Sequence, residues 1–150
     1  MDLAQITQMY DFTGKTFVVT GGTGVLGGEV ACALAGVGAN VVLLDRNLDP
    51  AAGVLERMGP HACQATAVHG DVLNRDALAQ AVEPITEQFG PIYGLVNAAG
   101  GNRPAATTSA DLSFFDMPED ALRHVFDLNL LGTLLPCQVF GPPMPERGEG

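Results

Sequence analysis

The sequence is poor in basic residues. It contains 7 lysine and arginine residues, of which Lys15 is the single lysine, against 17 aspartate and glutamate residues, and its net charge is −10. Nucleic acids and anionic membrane surfaces are bound through clustered basic side chains. We therefore expect neither as a partner. A phosphate-bearing ligand remains compatible with the sequence, because backbone N–H groups can bind phosphate without a lysine.

Cysteine and long apolar runs are scarce as well. Cys32, Cys63 and Cys137 form no C-x-x-C pair, which indicates a reducing, cytoplasmic setting and predicts that each thiol is a buried structural residue. The first twelve residues lack the basic and apolar regions of a signal peptide. The longest apolar stretch, 128–140, is broken by an asparagine, a glycine and a proline, so we expect no membrane-spanning segment. The three histidines show no metal-ligand spacing, and we expect no metal.

Apolar runs and helical spacing alternate along the chain. Strands are predicted at 16–20, 41–44, 65–68 and 92–96, and helices at 26–37, 48–58 and 78–89. A last helix is predicted to start after Asp116, with Pro118 in its first turn and Glu119 completing a cap. Because that helix is apolar nearly all round, we expect it to be buried on more than one side.

This alternation predicts the fold class. Continuous apolar strands are typical of a parallel sheet that is covered on both faces. The sequence therefore predicts an α/β protein, a doubly wound Rossmann sheet with helices on both faces. Right-handed crossovers place strands two and three on one side of strand one, and the fourth strand on the other. A ligand is expected in the crevice between strands one and four.

A glycine-rich loop joins the first strand to the first of these helices. The glycines Gly22, Gly24 and Gly27 follow the G-x-G-x-x-G pattern of dinucleotide-binding loops. They permit a tight turn, close approach of the backbone to a pyrophosphate, and close packing of helix against strand. The helix N-terminus then offers free N–H groups to the phosphates.

An acidic residue stands at the end of the second strand. Asp45 lies about 20 residues beyond the loop, as expected of the carboxylate that binds the adenosine ribose. A 2′-phosphate would meet this negative charge, so the sequence favours NAD over NADP. Arg46 follows directly and weakens that preference.

Several motifs occur together in the order and spacing of one family. Gly14-Lys15, the loop 20–27, Gly70-Asp71-Val72, Asn97-Ala98-Ala99-Gly100 and Asp127-Leu128-Asn129-Leu130 resemble those of the short-chain dehydrogenase/reductase family. The resemblance covers about residues 12–150. It implies an oxidoreductase that uses NAD or NADP on a small-molecule substrate, and a homo-oligomeric parent protein.

The resemblance also implies roles for individual residues. Cofactor binding is implied for Gly21, Gly22, Thr23, Gly24, Val25, Leu26, Gly27, Asp45, Arg46, Asp71, Val72, Asn97, Ala98, Ala99 and Gly100. Asn129 matches the asparagine of the family's catalytic tetrad, which supports a water in the proton relay. As an amide on an apolar helix, Asn129 also requires hydrogen-bond partners on physical grounds alone.

The spacing of the glycines leaves an alternative open. The compact branch of the family places a glycine where this chain has Val25, whereas the extended branch, with its sugar-nucleotide epimerases, shares the spacing found here. The motif at 97–100 belongs to the compact branch, which we favour. A non-catalytic NAD-binding module is the other alternative.

The segments around 97–105 and 126–136 are most similar to sugar-acid reductases of the D-mannonate oxidoreductase (fructuronate reductase) type. Residues 101–117 form a longer loop than a simple connection needs. Arg103 in that loop is a candidate for binding a substrate carboxylate through a bidentate contact.

The residues that carry the family's chemistry are not all present. The two tyrosines, Tyr10 and Tyr93, and the single lysine form no Tyr-x-x-x-Lys pair, and the family's serine would follow residue 150. We expect residues 1–150 to be one NAD(P)-binding Rossmann domain that is incomplete on its C-terminal side, ends after the fourth strand and its helix, and is inactive by itself. The fourth strand would then be an exposed sheet edge.

Overall fold

The computed structural model describes residues 2–150 and has a parallel sheet at its centre. Strands β1 (Thr16–Thr20), β2 (Asn40–Asp45), β3 (Ala65–His69) and β4 (Ile92–Asn97) are arranged in the order β3-β2-β1-β4. All three strand pairs are parallel. The predicted doubly wound sheet is confirmed, and the strand order reverses between β1 and β4.

Helices cover both faces of the sheet. The larger ones are α2 (Val25–Gly36), α3 (Ala51–Met58) and α4 (Arg75–Phe89). After β4 come α5 (Glu119–Phe126), a π-helical turn (Asp127–Leu131) and α6 (Gly132–Phe140). Short helices α1 (Leu3–Met9) and α7 (Pro143–Arg147) lie near the two ends, and 3-10 turns span Gly59–Gln64, Pro104–Ala106 and Phe114–Asp116. None of the helices within 2–150 has both the length and the hydrophobicity that a membrane crossing demands.

Alternate side chains of the strands supply the two layers of the core. On one face Val19, Val41 and Leu43 pack with residues of α2 and α3. On the other, Val18 and Val42 pack with residues of α4 and α6. Burial on both faces explains why the strands are continuously apolar in sequence.

Two helix boundaries differ from the prediction. The helix expected over 48–58 begins at Ala51, because Pro50 takes the N-cap position. The last helix begins at Glu119 with Pro118 as its N-cap, and no side chain caps it. Asp116 lies instead in a 3-10 turn whose N-cap is Ser113.

Two expectations of burial were wrong. The helix after the loop is not buried on more than one side, since Phe126, Leu130, Leu131 and Leu134 are all exposed. Its two halves are joined by a π turn, and only Ala121, Gly132, Pro136 and Phe140 of this region are buried. The thiols are not buried either, because Cys63 and Cys137 are exposed and Cys32 is half-buried.

Candidate functional site

A cleft opens at the carboxyl ends of the strands. It has a volume of about 400 Å³, which is within the usual range for a small-molecule site. Its walls come from the loop after β1, the ends of β2 and β3, the residues after β4, and the π turn: Gly21, Gly24, Val25, Leu26, Gly27, Leu44, Asp45, Arg46, Gly70, Asp71, Val72, Leu73, Ala98, Ala99, Gly100 and Leu128. The cleft lies where the strand order reverses, which is where doubly wound proteins bind ligands.

The glycines of the loop after β1 bring backbone segments close together. A Cβ on Gly27 would lie 2.2 Å from the carbonyl oxygen of Gly21, so a side chain has no room there. Gly21 has a φ of +64°, and its Cβ would lie 2.8 Å from the backbone of Ala99. The loop therefore adopts a compact turn against the end of β4 that side chains would obstruct.

Helix α2 presents its N-terminus to this cleft. Gly24 is the N-cap and no side chain caps the helix, so the amide N–H groups of the first turn are left for a ligand. The positive end of the helix dipole adds to their attraction for an anion. The side chains of Val25 and Leu26, in that first turn, are 82% and 79% exposed. This arrangement fits the pyrophosphate of a dinucleotide.

Asp45 ties the loop to the end of β2. One carboxylate oxygen accepts a hydrogen bond from the N–H of Thr23 at 3.3 Å, and the other accepts one from the N–H of Asn47 at 3.2 Å. The Thr23 hydroxyl donates to the Asn47 carbonyl at 3.0 Å. A carboxylate has about four acceptor positions, so Asp45 can still accept bonds from ribose hydroxyl groups in the cleft.

The ends of β1 and β4 are joined by a buried hydroxyl. Thr20 is fully buried, and its Oγ1 accepts from the N–H of Ala99 at 3.2 Å and lies 3.5 Å from the carbonyl of Val96. This contact holds the segment after β4 against the loop after β1. Asp71, at the end of β3, accepts from the N–H of Leu73 at 2.9 Å and faces the same cleft.

Asn129 lies in the π turn and holds the segment after β4 from the other side. Its Nδ2 donates to the carbonyl oxygens of Gly101 at 2.7 Å and Val125 at 2.8 Å. Its Oδ1 accepts from the N–H of Gly101 at 3.2 Å. A Cβ on Gly100 would lie 2.8 Å from that same oxygen. The asparagine therefore has the partners that its chemistry requires, and it fixes the path of the chain at 100–101.

Twelve of the fifteen residues predicted for cofactor binding line the cleft. The other three lie behind its walls. Gly22 packs against Leu43, Thr23 is 7% exposed, and the Asn97 side chain points away toward α6, where its Nδ2 contacts Cys137 Sγ at 3.3 Å. The Oδ1 of Asn97 is buried without a partner. Arg103 lies on the loop three residues beyond Gly100 and is exposed.

Sequence reasoning did not assign Leu44, Gly70, Leu73 and Leu128 to the site. Gly70 and Leu128 stood inside motifs that were recognised, and all four lie at strand ends or in the π turn, so topology was the available signal. Within residues 2–150 no group of three or more histidine, cysteine, aspartate or glutamate side chains is placed to hold a metal ion.

Comparison with known proteins gives a consistent result. The family model for short chain dehydrogenases matches residues 15–150. The uncharacterized oxidoreductase UxuB of Bacillus subtilis is 40% identical over 139 residues, which are 87% of this chain and 50% of that protein. The 7alpha-hydroxysteroid dehydrogenase of Escherichia coli K12 is 31% identical over 137 residues, 91% of this chain and 51% of that protein.

A solved structure shares the fold and the sequence pattern. It is described as a candidate D-mannonate oxidoreductase from Haemophilus influenza with bound NAD, and it superposes with a TM-score of 0.81 at 34% identity. The match covers 92% of this chain and 53% of that one. The chain thus spans about half the length of the relatives that it matches.

Proposed function

Because the chain belongs to the short-chain dehydrogenase family, we propose that the whole protein is an NAD(P)-dependent oxidoreductase. It transfers a hydride between the nicotinamide and a carbonyl or secondary alcohol of its substrate. The observation that supports this proposal is the cleft between β1 and β4. There the glycine loop after β1 leads into the N-terminus of α2, which no side chain caps. The second open reading, a sugar-nucleotide epimerase of the extended branch, rests on glycine spacing alone.

The preferred cofactor is NAD. When bound, NAD supplies the hydride acceptor, and NADH the hydride donor. The first-turn amides of α2 would hold its pyrophosphate, Asp45 would accept from its adenosine ribose, and Asp71 and Val72 would border its adenine; all of these residues line the cleft. The carboxylate of Asp45 disfavours an additional 2′-phosphate, because two negative groups would be held close together. The related Haemophilus structure, which contains NAD, supports this choice.

Asn129 takes part as a positioning residue in this proposal. Its hydrogen bonds to Gly101 hold the segment 98–100 along one wall of the cleft. A displaced segment would leave the nicotinamide end of the cofactor without a defined wall, and small displacements of reacting groups reduce the rate strongly.

The substrate that we propose is a small sugar acid or related polyol. Support comes from the similarity of residues 97–105 and 126–136 to sugar-acid reductases, and from the D-mannonate oxidoreductase description of the Haemophilus relative. The low content of basic residues speaks against nucleic acid as a substrate. Three free thiols fit a reducing compartment such as the cytoplasm.

Two measurements test the function. Calorimetric titration of the full-length protein with NAD and with NADP measures cofactor binding and its preference. Absorbance of NADH during incubation of the full-length protein with sugar acids and the corresponding ketones measures hydride transfer. Saturable NAD binding together with turnover supports the proposal. NAD binding without turnover on any of these compounds would favour a non-catalytic NAD-binding module, and absence of NAD binding would refute the proposal.

A further inference from the structure

The basic side chains of this acidic protein are nearly all engaged. Five of the seven have a protein partner: Lys15 with Glu149, Arg57 with Glu29, Arg123 with Glu119, Arg75 with Gln138, and Arg147 with the carbonyl of Ile92. Arg46 and Arg103 alone, within residues 2–150, have no hydrogen bond or ion pair through their guanidinium groups. Although the chain has 17 acidic residues, these two guanidinium groups have neither a carboxylate nor any other protein acceptor among the described residues.

One of these arginines lines the cleft, and the other lies on the loop that leaves the cleft wall. Arg46 lines it at the end of β2. Arg103 is three residues beyond Gly100, which lines the cleft at the end of β4. Three extended residues span at most about 10 Å, so Arg103 starts close to the wall that Asn129 holds in place. Arg46 is therefore an unpaired cation on the cleft wall, and Arg103 is an unpaired cation on the loop that begins at the opposite wall.

The backbone around Arg103 is fixed although its side chain is free. The N–H of Arg103 donates to Asn102 Oδ1 at 2.8 Å, and its carbonyl accepts from the N–H of Ala106 at 2.9 Å and from Thr107 Oγ1 at 3.0 Å. Asn102 Nδ2 in turn donates to Thr107 Oγ1 at 2.8 Å. A donor mounted on an ordered backbone loses less entropy when it binds a ligand.

The acidic residues of the same loop do not neutralise this cation. Asp111 and Asp116 lie within the loop that follows β4, yet neither pairs with Arg103. A guanidinium group presents two parallel N–H donors that match a carboxylate, and this geometry distinguishes a carboxylate from a hydroxyl group. We propose that Arg103 determines substrate specificity by binding the carboxylate of the sugar acid while the cofactor occupies the cleft. This inference rests on the proposed function.

The test compares two ligands that share a carbon skeleton and differ in one group. D-mannonate carries a carboxylate, whereas D-mannitol carries a hydroxyl group in its place. Calorimetric titration of the full-length protein, saturated with NADH, measures the affinity for each, because NADH cannot accept a hydride from either alcohol. The variants are Arg103→Gln and Arg103→Lys. The matched control is Arg123→Gln, which removes an exposed arginine on α5 that pairs with Glu119.

We expect the unmodified protein to bind D-mannonate more tightly than D-mannitol. Arg103→Gln should weaken D-mannonate binding by about 10- to 100-fold and leave D-mannitol binding unchanged. Arg103→Lys keeps the charge and loses the paired donors. Its affinity for D-mannonate should lie between those of the unmodified protein and Arg103→Gln. Arg123→Gln should behave like the unmodified protein. Because the Arg103 side chain has no protein partner, its variants should keep the melting temperature.

The opposite outcomes separate this inference from the proposed function. If Arg103→Gln retains the preference for D-mannonate, or if the unmodified protein has none, Arg103 is a solvated surface arginine and the inference is overturned. If Arg103→Gln weakens NAD binding instead, the arginine serves a cofactor phosphate, which also overturns it. Failure of the unmodified protein to bind NAD overturns the proposed function itself.

Discussion

Asn129 and Gly101 form a reciprocal pair of hydrogen bonds. The amide of the asparagine donates to the Gly101 carbonyl at 2.7 Å and accepts from the Gly101 N–H at 3.2 Å. A side-chain amide that pairs in this way with the N–H and the carbonyl of one residue copies the pairing of neighbouring strands. The segment after β4 is therefore held by a substitute for a strand partner, at a point where the sheet has ended.

Replacement of Asn129 should loosen this segment. In Asn129→Ala the bonds to Gly101 and Val125 are lost, and we expect the free energy of unfolding to fall by about 1–2 kcal/mol, since each net hydrogen bond contributes about 0.5–1.5 kcal/mol. Denaturant unfolding measures this change, and amide hydrogen exchange at Gly101 should become faster. Gln80→Ala is the control, because that exposed amide has no hydrogen bond in the described structure. Equal stability of Asn129→Ala and the control would show that the hydrogen bonds of Asn129 do not stabilise the fold.

A methyl group on Gly27 should disrupt the loop after β1. The added Cβ would lie 2.2 Å from the Gly21 carbonyl oxygen, so the backbone must move. We expect Gly27→Ala to lower the free energy of unfolding by about 1–3 kcal/mol and to abolish NAD binding in calorimetric titration. Gly53→Ala is the matched control, since nothing lies within 4 Å of its added Cβ. As a replacement inside helix α3, it should raise stability by about 0.5–1 kcal/mol. Normal NAD binding by Gly27→Ala would contradict the assigned role of the loop.

The charge of Asp45 should control the choice between the two cofactors. Asp45→Asn keeps the size of the side chain and removes the charge, so we expect NAD binding to weaken by about tenfold. Discrimination against NADP should shrink, because the carboxylate no longer opposes the 2′-phosphate. Titration with both cofactors measures the ratio of affinities. Asp49→Asn, a nearby exposed carboxylate, should leave the ratio unchanged. An unaltered ratio in Asp45→Asn would assign cofactor choice to another residue.

The exposed apolar side chains of the π turn and α6 predict self-association. Leu130, Leu131 and Leu134 are 54%, 42% and 46% exposed, and Phe126 is 68% exposed. We expect the full-length protein to be a homo-oligomer that buries this surface, and Leu134→Glu to dissociate it, because a charge would be desolvated at the interface. Sedimentation velocity distinguishes the two states. Gln80→Glu adds the same charge on α4 and should not alter assembly. An unmodified protein that sediments as a monomer would refute this expectation.

The sheet could be predicted from sequence because one physical cause governs it. Strands buried on both faces must be continuously apolar, and runs such as Phe17 to Val19 satisfy that requirement. The glycine loop after β1 could be predicted equally well, because a tight turn with no room for Cβ atoms excludes residues other than glycine. The cleft walls at the ends of β2, β3 and β4 could be predicted from the topology once the strand order was inferred.

The region after β4 could not be predicted in the same way. Asp116 suggested a cap, but Ser113 caps the preceding 3-10 turn and Pro118 starts α5 without a side-chain bond. The position of the π turn in the fold involves contacts that local sequence does not specify, above all the bonds between Asn129 and Gly101, which is 28 residues earlier. Exposure of the leucines likewise depends on which elements pack against α6, and this is a tertiary property.

The position of Asn129 depends on the exact number of residues in the π turn. A π turn holds about one residue more than a turn of α-helix. Deletion of a single codon within 127–131 would let α5 and α6 merge into one regular helix, with one half rotated by about 100° relative to the other. Asn129 could then reach Gly101 only if Pro136 and Phe140 left the core, which they now occupy. This stretch should therefore tolerate exchanges of side chains far better than any change in its length.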